Sequence, residues 1–100
     1  MLDVSVSIVS HCHGEFLVQS INSINKALLR SGLKFEIIIT FNVSEPEEER
    51  FDQKDNFVII RNIQPKGFGS NHNAAFKVSK GEYFIVCNPD IKLPLDFNLS

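Results

Sequence analysis

The sequence has no excess of charge, no long apolar run and almost no cysteine, and each shortage excludes a class of protein. Ten basic and twelve acidic side chains leave a net charge of −2, so there is no clustered basic face of the kind that nucleic acid requires. No apolar stretch approaches the length of a bilayer-crossing helix, and the first residues lack a basic segment followed by a signal-type apolar core. The two cysteines, Cys12 and Cys87, stand too far apart for a zinc or redox motif and read as small buried hydrophobes of a reducing compartment. Internal repeats, low-complexity segments and an interdomain linker are also missing. What remains is an ordinary globular composition, 43% hydrophobic and 22% charged, over 100 residues: one small domain, expected in the cytoplasm.

The pattern that is present alternates strands with helices. Val4 to Ser10 is strand-like, with Val4, Val6 and Ile8 separated by serines, and it ends in the polar turn Ser10-His11-Cys12-His13-Gly14. Leu17, Ile21, Ile24 and Leu28 recur at helical spacing between Glu15 and Ser31, and Gly32 supplies a left-handed C-cap. Phe35 to Phe41 is a second strand, which completes a right-handed parallel βαβ unit. The acid-rich stretch around Glu45-Pro46-Glu47-Glu48-Glu49 reads as a solvated face, with Pro46 opening one helical turn. Phe57 to Arg61 is the third strand. A loop with Gly67 and Gly69 leads to a helix capped by Ser70 or Asn71, running to about Lys80 with Ala74, Ala75 and Val78 inward and Gly81 ending it. The apolar run Tyr83 to Cys87 reads as a fourth strand buried on both faces, stopped by Asn88-Pro89. The expected fold is α/β: a doubly wound, mainly parallel sheet of order 3-2-1-4 with helices on both faces.

In that order the first and fourth strands are neighbours at the topological switch point, where open α/β sheets bind ligands beyond their carboxyl ends. Ser10 to Gly14 and Asn88 to Asp90 then flank one crevice, with Lys66-Gly67-Phe68-Gly69-Ser70-Asn71 beside it as an amide-presenting turn. One of Gly67 and Gly69 is expected to need positive φ or close ligand approach. His11, His13 and His72 do not make a metal site at this spacing, since His11 and His13 diverge in an extended chain; they read as polar rim residues. No Gly-x-Ser-x-Gly accompanies Ser10, so a hydrolytic triad is not indicated.

Three segments, Val4-Ser5-Val6-Ser7-Ile8-Val9-Ser10-His11, Lys66-Gly67-Phe68-Gly69-Ser70-Asn71-His72-Asn73 and Gly81-Glu82-Tyr83-Phe84 through Cys87-Asn88-Pro89-Asp90, together resemble a family 2 glycosyltransferase of the GT-A fold. The likeness is to the rhamnosyltransferase-like branch, in which Asn-Pro-Asp replaces Asp-x-Asp, and it spans essentially the whole chain. It implies a nucleotide-diphosphate sugar donor whose diphosphate is held through Mn²⁺ or Mg²⁺, a hard cation suited to carboxylate and phosphate oxygens. By motif position it implies Asp90 as the metal ligand and Asn88 as a partner of ribose or metal-bound water. It also implies Ser10 and His11 in the base-and-ribose loop, and Gly67, Phe68, Gly69 and Asn73 in the segment over the nucleotide. Many relatives follow the second strand with a base-reading aspartate; Phe41-Asn42-Val43-Ser44 stands there in this chain, which makes Asn42 the candidate substitute.

The resemblance further implies that residues 1–100 are a single donor-binding domain, ending before the acceptor-binding half and its general base. On this reading the intact enzyme is expected to be inverting in the family's manner, to transfer sugar to a saccharide or lipid-linked acceptor in surface polysaccharide synthesis, and to sit peripherally at the inner face of the membrane. The rival reading is a non-enzymatic α/β module that binds a nucleotide or a protein through the same crevice. Two expectations concern the end of the chain. Ile91, Leu93, Leu95, Phe97 and Leu99 alternate as one more strand would, and an uncovered fourth strand would lead copies of the chain to self-associate.

Overall fold

The computed structural model of the chain describes residues 1–51 and 55–89. Seven elements follow one another: β1 (Leu2–Ser10), α1 (Glu15–Ser31), β2 (Phe35–Phe41), a 3₁₀ helix (Pro46–Phe51), β3 (Phe57–Arg61), α2 (Phe68–Val78) and β4 (Gly81–Cys87). The strands form one four-stranded sheet in the order β3-β2-β1-β4, and every pair is parallel. This is the doubly wound arrangement that the alternation of elements predicts. Residues 91–99, expected as a further strand, lie outside the described residues, as does Asp90.

Side chains alternate across a strand, and here the two faces of the sheet differ in chemistry. Val4, Val6 and Ile8 of β1 and Ile37, Ile39 and Phe41 of β2 face α1, where Leu17, Ile21, Ile24 and Leu28 close a fully apolar layer. Burial of each such side chain contributes roughly 1.5–3 kcal/mol, so this layer is the main source of cohesion. Gly32 caps α1 in the left-handed region at φ 78°, as its position after the last periodic residue predicts.

The opposite face is mixed. Ser5, Ser7, Glu36 and Thr40 are buried there together with Ile38, and α2 meets them with buried Asn71, His72 and Ala75. The helix therefore departs from its expected form. It starts at Phe68 behind Gly67 and stops at Val78, while Ala74 is half-buried and Val78 stays 46% exposed. Of the three positions expected inward only Ala75 is fully buried, because the helix is turned to set His72 against Ser7 Oγ and Phe76 against Phe84 of the sheet. Glu36 satisfies this layer by accepting from Ser5 Oγ at 2.6 Å and from the Lys80 amide at 2.7 Å. Gly81 does not end the helix; it opens β4, and a Cβ there would lie 2.5 Å from the Ser5 nitrogen and the Val4 carbonyl carbon. Close approach of two backbones accounts for the glycine.

β4 also differs from expectation. Its apolar run suggested burial on both faces, yet Tyr83 is 56% and Val86 45% exposed, because among the described residues β4 pairs only with β1 and forms the sheet edge. Ile85 still packs on the core, and Phe84 receives Phe76 of α2 edge-on at 5.2 Å between ring centres.

Candidate functional site

All four strands point the same way, so the loops that leave their carboxyl ends meet at one edge. These are Ser10 to Gly14 after β1, Asn42 to Glu45 after β2, Asn62 to Gly67 after β3, and Asn88-Pro89 after β4.

Asn42 is the hub of that edge. Its Oδ1 accepts from the Lys66 amide at 2.7 Å, Asn62 Nδ2 at 2.9 Å and Asn71 Nδ2 at 3.1 Å. Its Nδ2 donates to the Lys66 carbonyl and to His11 Nδ1, both at 3.1 Å. Since an amide nitrogen only donates, His11 accepts at Nδ1 and carries its ring proton on Nε2. Asn62 also donates to Asn71 Oδ1 at 2.6 Å, so three asparagines tie the ends of β2 and β3 to the first turn of α2. With its amide fully engaged inside the chain, Asn42 forms the wall of the crevice.

The β1 turn is the strained part. Cys12 has φ 62°, in the left-handed region that a non-glycine residue enters at a cost of about 1 kcal/mol or more. Gly14 has φ 55° and ψ −123°, accessible essentially to glycine alone, and its carbonyl accepts from Leu17 and Val18 to start α1. Gly67 and Gly69, one of which was expected to need positive φ or close ligand approach, both lack positive φ. Gly67 is extended at φ −72°, Gly69 is helical, and a Cβ on either would meet open space. The backbone demand thus belongs to the β1 loop, and Cys12, expected to be buried, is exposed.

Glu45 is the residue that composition concealed. It belongs to the acid run read as a solvated face, but it is only 6% exposed. Its Oε2 accepts from Ser10 Oγ at 2.7 Å and from the Cys12 amide at 3.0 Å. The Ser10 oxygen in turn accepts from the His13 amide at 3.4 Å, and His13 Nδ1 accepts from the His11 amide at 3.0 Å. Glu45 Oε1 is buried with no partner among the described residues, a desolvation penalty of about 1–3 kcal/mol. Glu48 supports the arrangement: it accepts from the Glu45 amide at 2.9 Å and pairs with Arg61 Nε, at the end of β3, at 2.7 Å. The Glu45 amide, with Arg61 beside it, holds the Glu48 carboxyl below its usual range. Only the burial of Glu45 distinguishes it from its acidic neighbours, and burial has no signature in a run of glutamates.

The remaining expected residues are placed as follows. Phe68 is 66% exposed at the start of α2 with its ring edge-on to His72, 4.5 Å between centres. Gly69, Asn73 and Asn88 are exposed, and the Pro89 carbonyl accepts a short hydrogen bond from Ser20 of α1, which anchors the turn after β4. Asp90 lies outside the described residues. His72 is buried with its Nδ1 2.8 Å from Ser7 Oγ, and burial pushes its pKa down. The histidines thus bind the loops and the sheet, and among the described residues no three acidic, histidine or cysteine side chains could together hold a metal ion. An open groove of about 580 Å³ runs along Arg61, Asn62, Gln64, Pro65 and Lys66.

The family model described as Glycosyl transferase family 2 matches residues 5–97. No curated protein sequence matches the chain. Among solved structures, TarS from S. aureus (residues 1–349) in complex with UDP aligns with a TM-score of 0.75 at 20% identity. That alignment covers 89% of this chain and 28% of TarS 1–349. The complex of the same protein with UDP-GlcNAc gives a TM-score of 0.72 at 18% identity, covering 89% and 27%. A further structure of S. aureus TarS gives a TM-score of 0.74 at 20% identity, covering 89% of this chain and 17% of that one. This chain therefore spans less than a third of each of these structures.

Proposed function

The chain belongs to glycosyl transferase family 2, and from that membership we propose that it is the donor-binding portion of a glycosyltransferase, holding a nucleotide-diphosphate sugar at the carboxyl edge of its sheet. The observation that carries this reading is the convergence of four strand-end loops on one edge, in a chain matched by the family over residues 5–97. TarS, similar in fold, has been solved in complex with UDP and with UDP-GlcNAc, which makes a uridine-diphosphate sugar the first donor class to test. On this reading Asn42 and the buried Ser10 shape the wall, while the exposed His11, Phe68, Gly69, Asn73 and Asn88 face the ligand.

A divalent cation, Mn²⁺ or Mg²⁺, fits the chemistry of the segment that leaves β4. Asp90 would supply a hard carboxylate oxygen there, and the metal would neutralise charge on the departing diphosphate. The Asn88-Pro89-Asp90 sequence supports the rhamnosyltransferase-like branch. We further take the acceptor to be a saccharide or lipid-linked glycan of a surface polysaccharide, reached from the cytoplasm at the inner face of the membrane. The exposed β4 edge supports self-association of the chain as well.

Calorimetric titration of UDP into the purified chain, with Mn²⁺, with chelator, and with Asp90→Ala, tests the reading. Saturable binding that weakens on chelation and on substitution is expected. Absence of binding at millimolar UDP overturns the donor assignment; binding indifferent to chelator and to Asp90→Ala overturns the metal assignment alone.

A further inference from the structure

The geometry points to Glu45 as a positioning residue of the nucleotide site, acting by clamping the β1 turn in the conformation that receives the ligand. The inference rests on the donor-binding reading above. One carboxylate oxygen accepts from both Ser10 Oγ and the Cys12 amide, so it closes the turn across its two ends. Cys12, one of those two ends, is in the left-handed region at φ 62°, a conformation that a cysteine enters only at an energetic cost. Gly14, two residues on, is also at positive φ and delivers the chain into α1. The clamp is anchored from behind: the Glu45 amide donates to Glu48, and Glu48 is paired with Arg61 at the end of β3. Loops from three strands are thereby registered against each other through one buried side chain.

Both bonds of the Glu45 carboxylate run to one short turn, the turn that carries His11 on its outer side, while its Oε1 has no partner among the described residues. His11 is in turn steadied by Asn42 through Nδ1. Loss of the charge at residue 45 would release Cys12 to the ordinary β or α region, which swings the His11 and His13 amides and side chains away from their present places.

The test is calorimetric titration of UDP with Mg²⁺ into the purified wild-type chain, Glu45→Gln, and Glu45→Gln combined with Cys12→Gly, the fold of each being checked by its amide NMR spectrum. Glutamine keeps the size and one acceptor oxygen but no charge, so UDP affinity should fall about tenfold and the Cys12 amide resonance should move upfield. Glycine at residue 12 enters the left-handed region without a carboxylate to hold it, so the double variant should recover most of the lost affinity. Unchanged affinity in Glu45→Gln overturns the proposal, and so does a loss that glycine fails to restore, because Glu45 would then act otherwise than through residue 12. Should Glu45→Gln fail to fold, Glu48→Gln takes its place. It loosens the Glu45 amide from outside and should weaken UDP in the same direction, and no weakening there overturns the clamp. Absence of binding by the wild-type chain is a separate outcome that removes the donor reading and the proposal together.

Discussion

Replacement of Asn42 by alanine should be among the most damaging polar substitutions in this chain. The side chain makes five hydrogen bonds within the protein, but the loss is smaller than five independent bonds. The Lys66 carbonyl keeps Asn71 Nδ2 at 3.2 Å, and Asn62 Nδ2 keeps Asn71 Oδ1 at 2.6 Å. Lys66 itself is exposed, so water can take the place of Oδ1 at its amide. At roughly 0.5–1.5 kcal/mol of net stability per bond, the two uncompensated bonds amount to about 1–3 kcal/mol. For a domain of this size that corresponds to a drop in Tm of about 4–24 °C. Thermal unfolding followed by circular dichroism measures it, and amide hydrogen exchange localises it, with Lys66 expected to lose protection first. A loss below about 0.5 kcal/mol, within the range of ordinary surface substitutions, would show that the asparagine cluster does not hold the loop. So would an unchanged exchange rate at Lys66.

Two further outcomes follow from the packing beneath α2 and β4. Gly81→Ala places a methyl group 2.5 Å from backbone atoms of Ser5 and Val4, so β4 must move off β1 at a cost of about 3 kcal/mol or more; urea unfolding measures it, and a loss under about 1 kcal/mol would contradict the close approach. His72 has its folded pKa pushed by burial below the ordinary 6.5, so the unfolded chain binds the proton first. Its contribution is complete above 6.5 and is lost as pH falls through the lowered folded pKa. Unfolding free energy measured against pH should decline as pH falls below 6.5, and His72→Asn should flatten the decline. Glu48, also shifted down, adds a further loss at lower pH with the same sign.

The alternation of strand-like and helix-like segments was enough to determine the parallel sheet, its order and the edge at which ligand loops gather. Those features follow from local periodicity and from the right-handedness of βαβ crossovers, which need no knowledge of distant contacts. The α1 stripe and the Gly32 cap were legible for the same reason. Tertiary structure decided the rest. The α2 face could not be read because polar partners from elsewhere in the chain, Ser7 for His72 and Asn42 for Asn71, set its buried side, and apolar periodicity does not register them. β4 looked doubly buried because hydrophobic side chains carry no mark of whether a neighbour strand lies beside them. Gly67 and Gly69 drew attention as glycines, whereas the left-handed geometry fell on Cys12 and Gly14, where a carboxylate from another loop holds the turn. Glu45 is the clearest case. In sequence it is one of four glutamates between residues 45 and 49. Only the fold brings Ser10 and Cys12 to it across more than thirty residues of chain and turns a solvated charge into a buried acceptor.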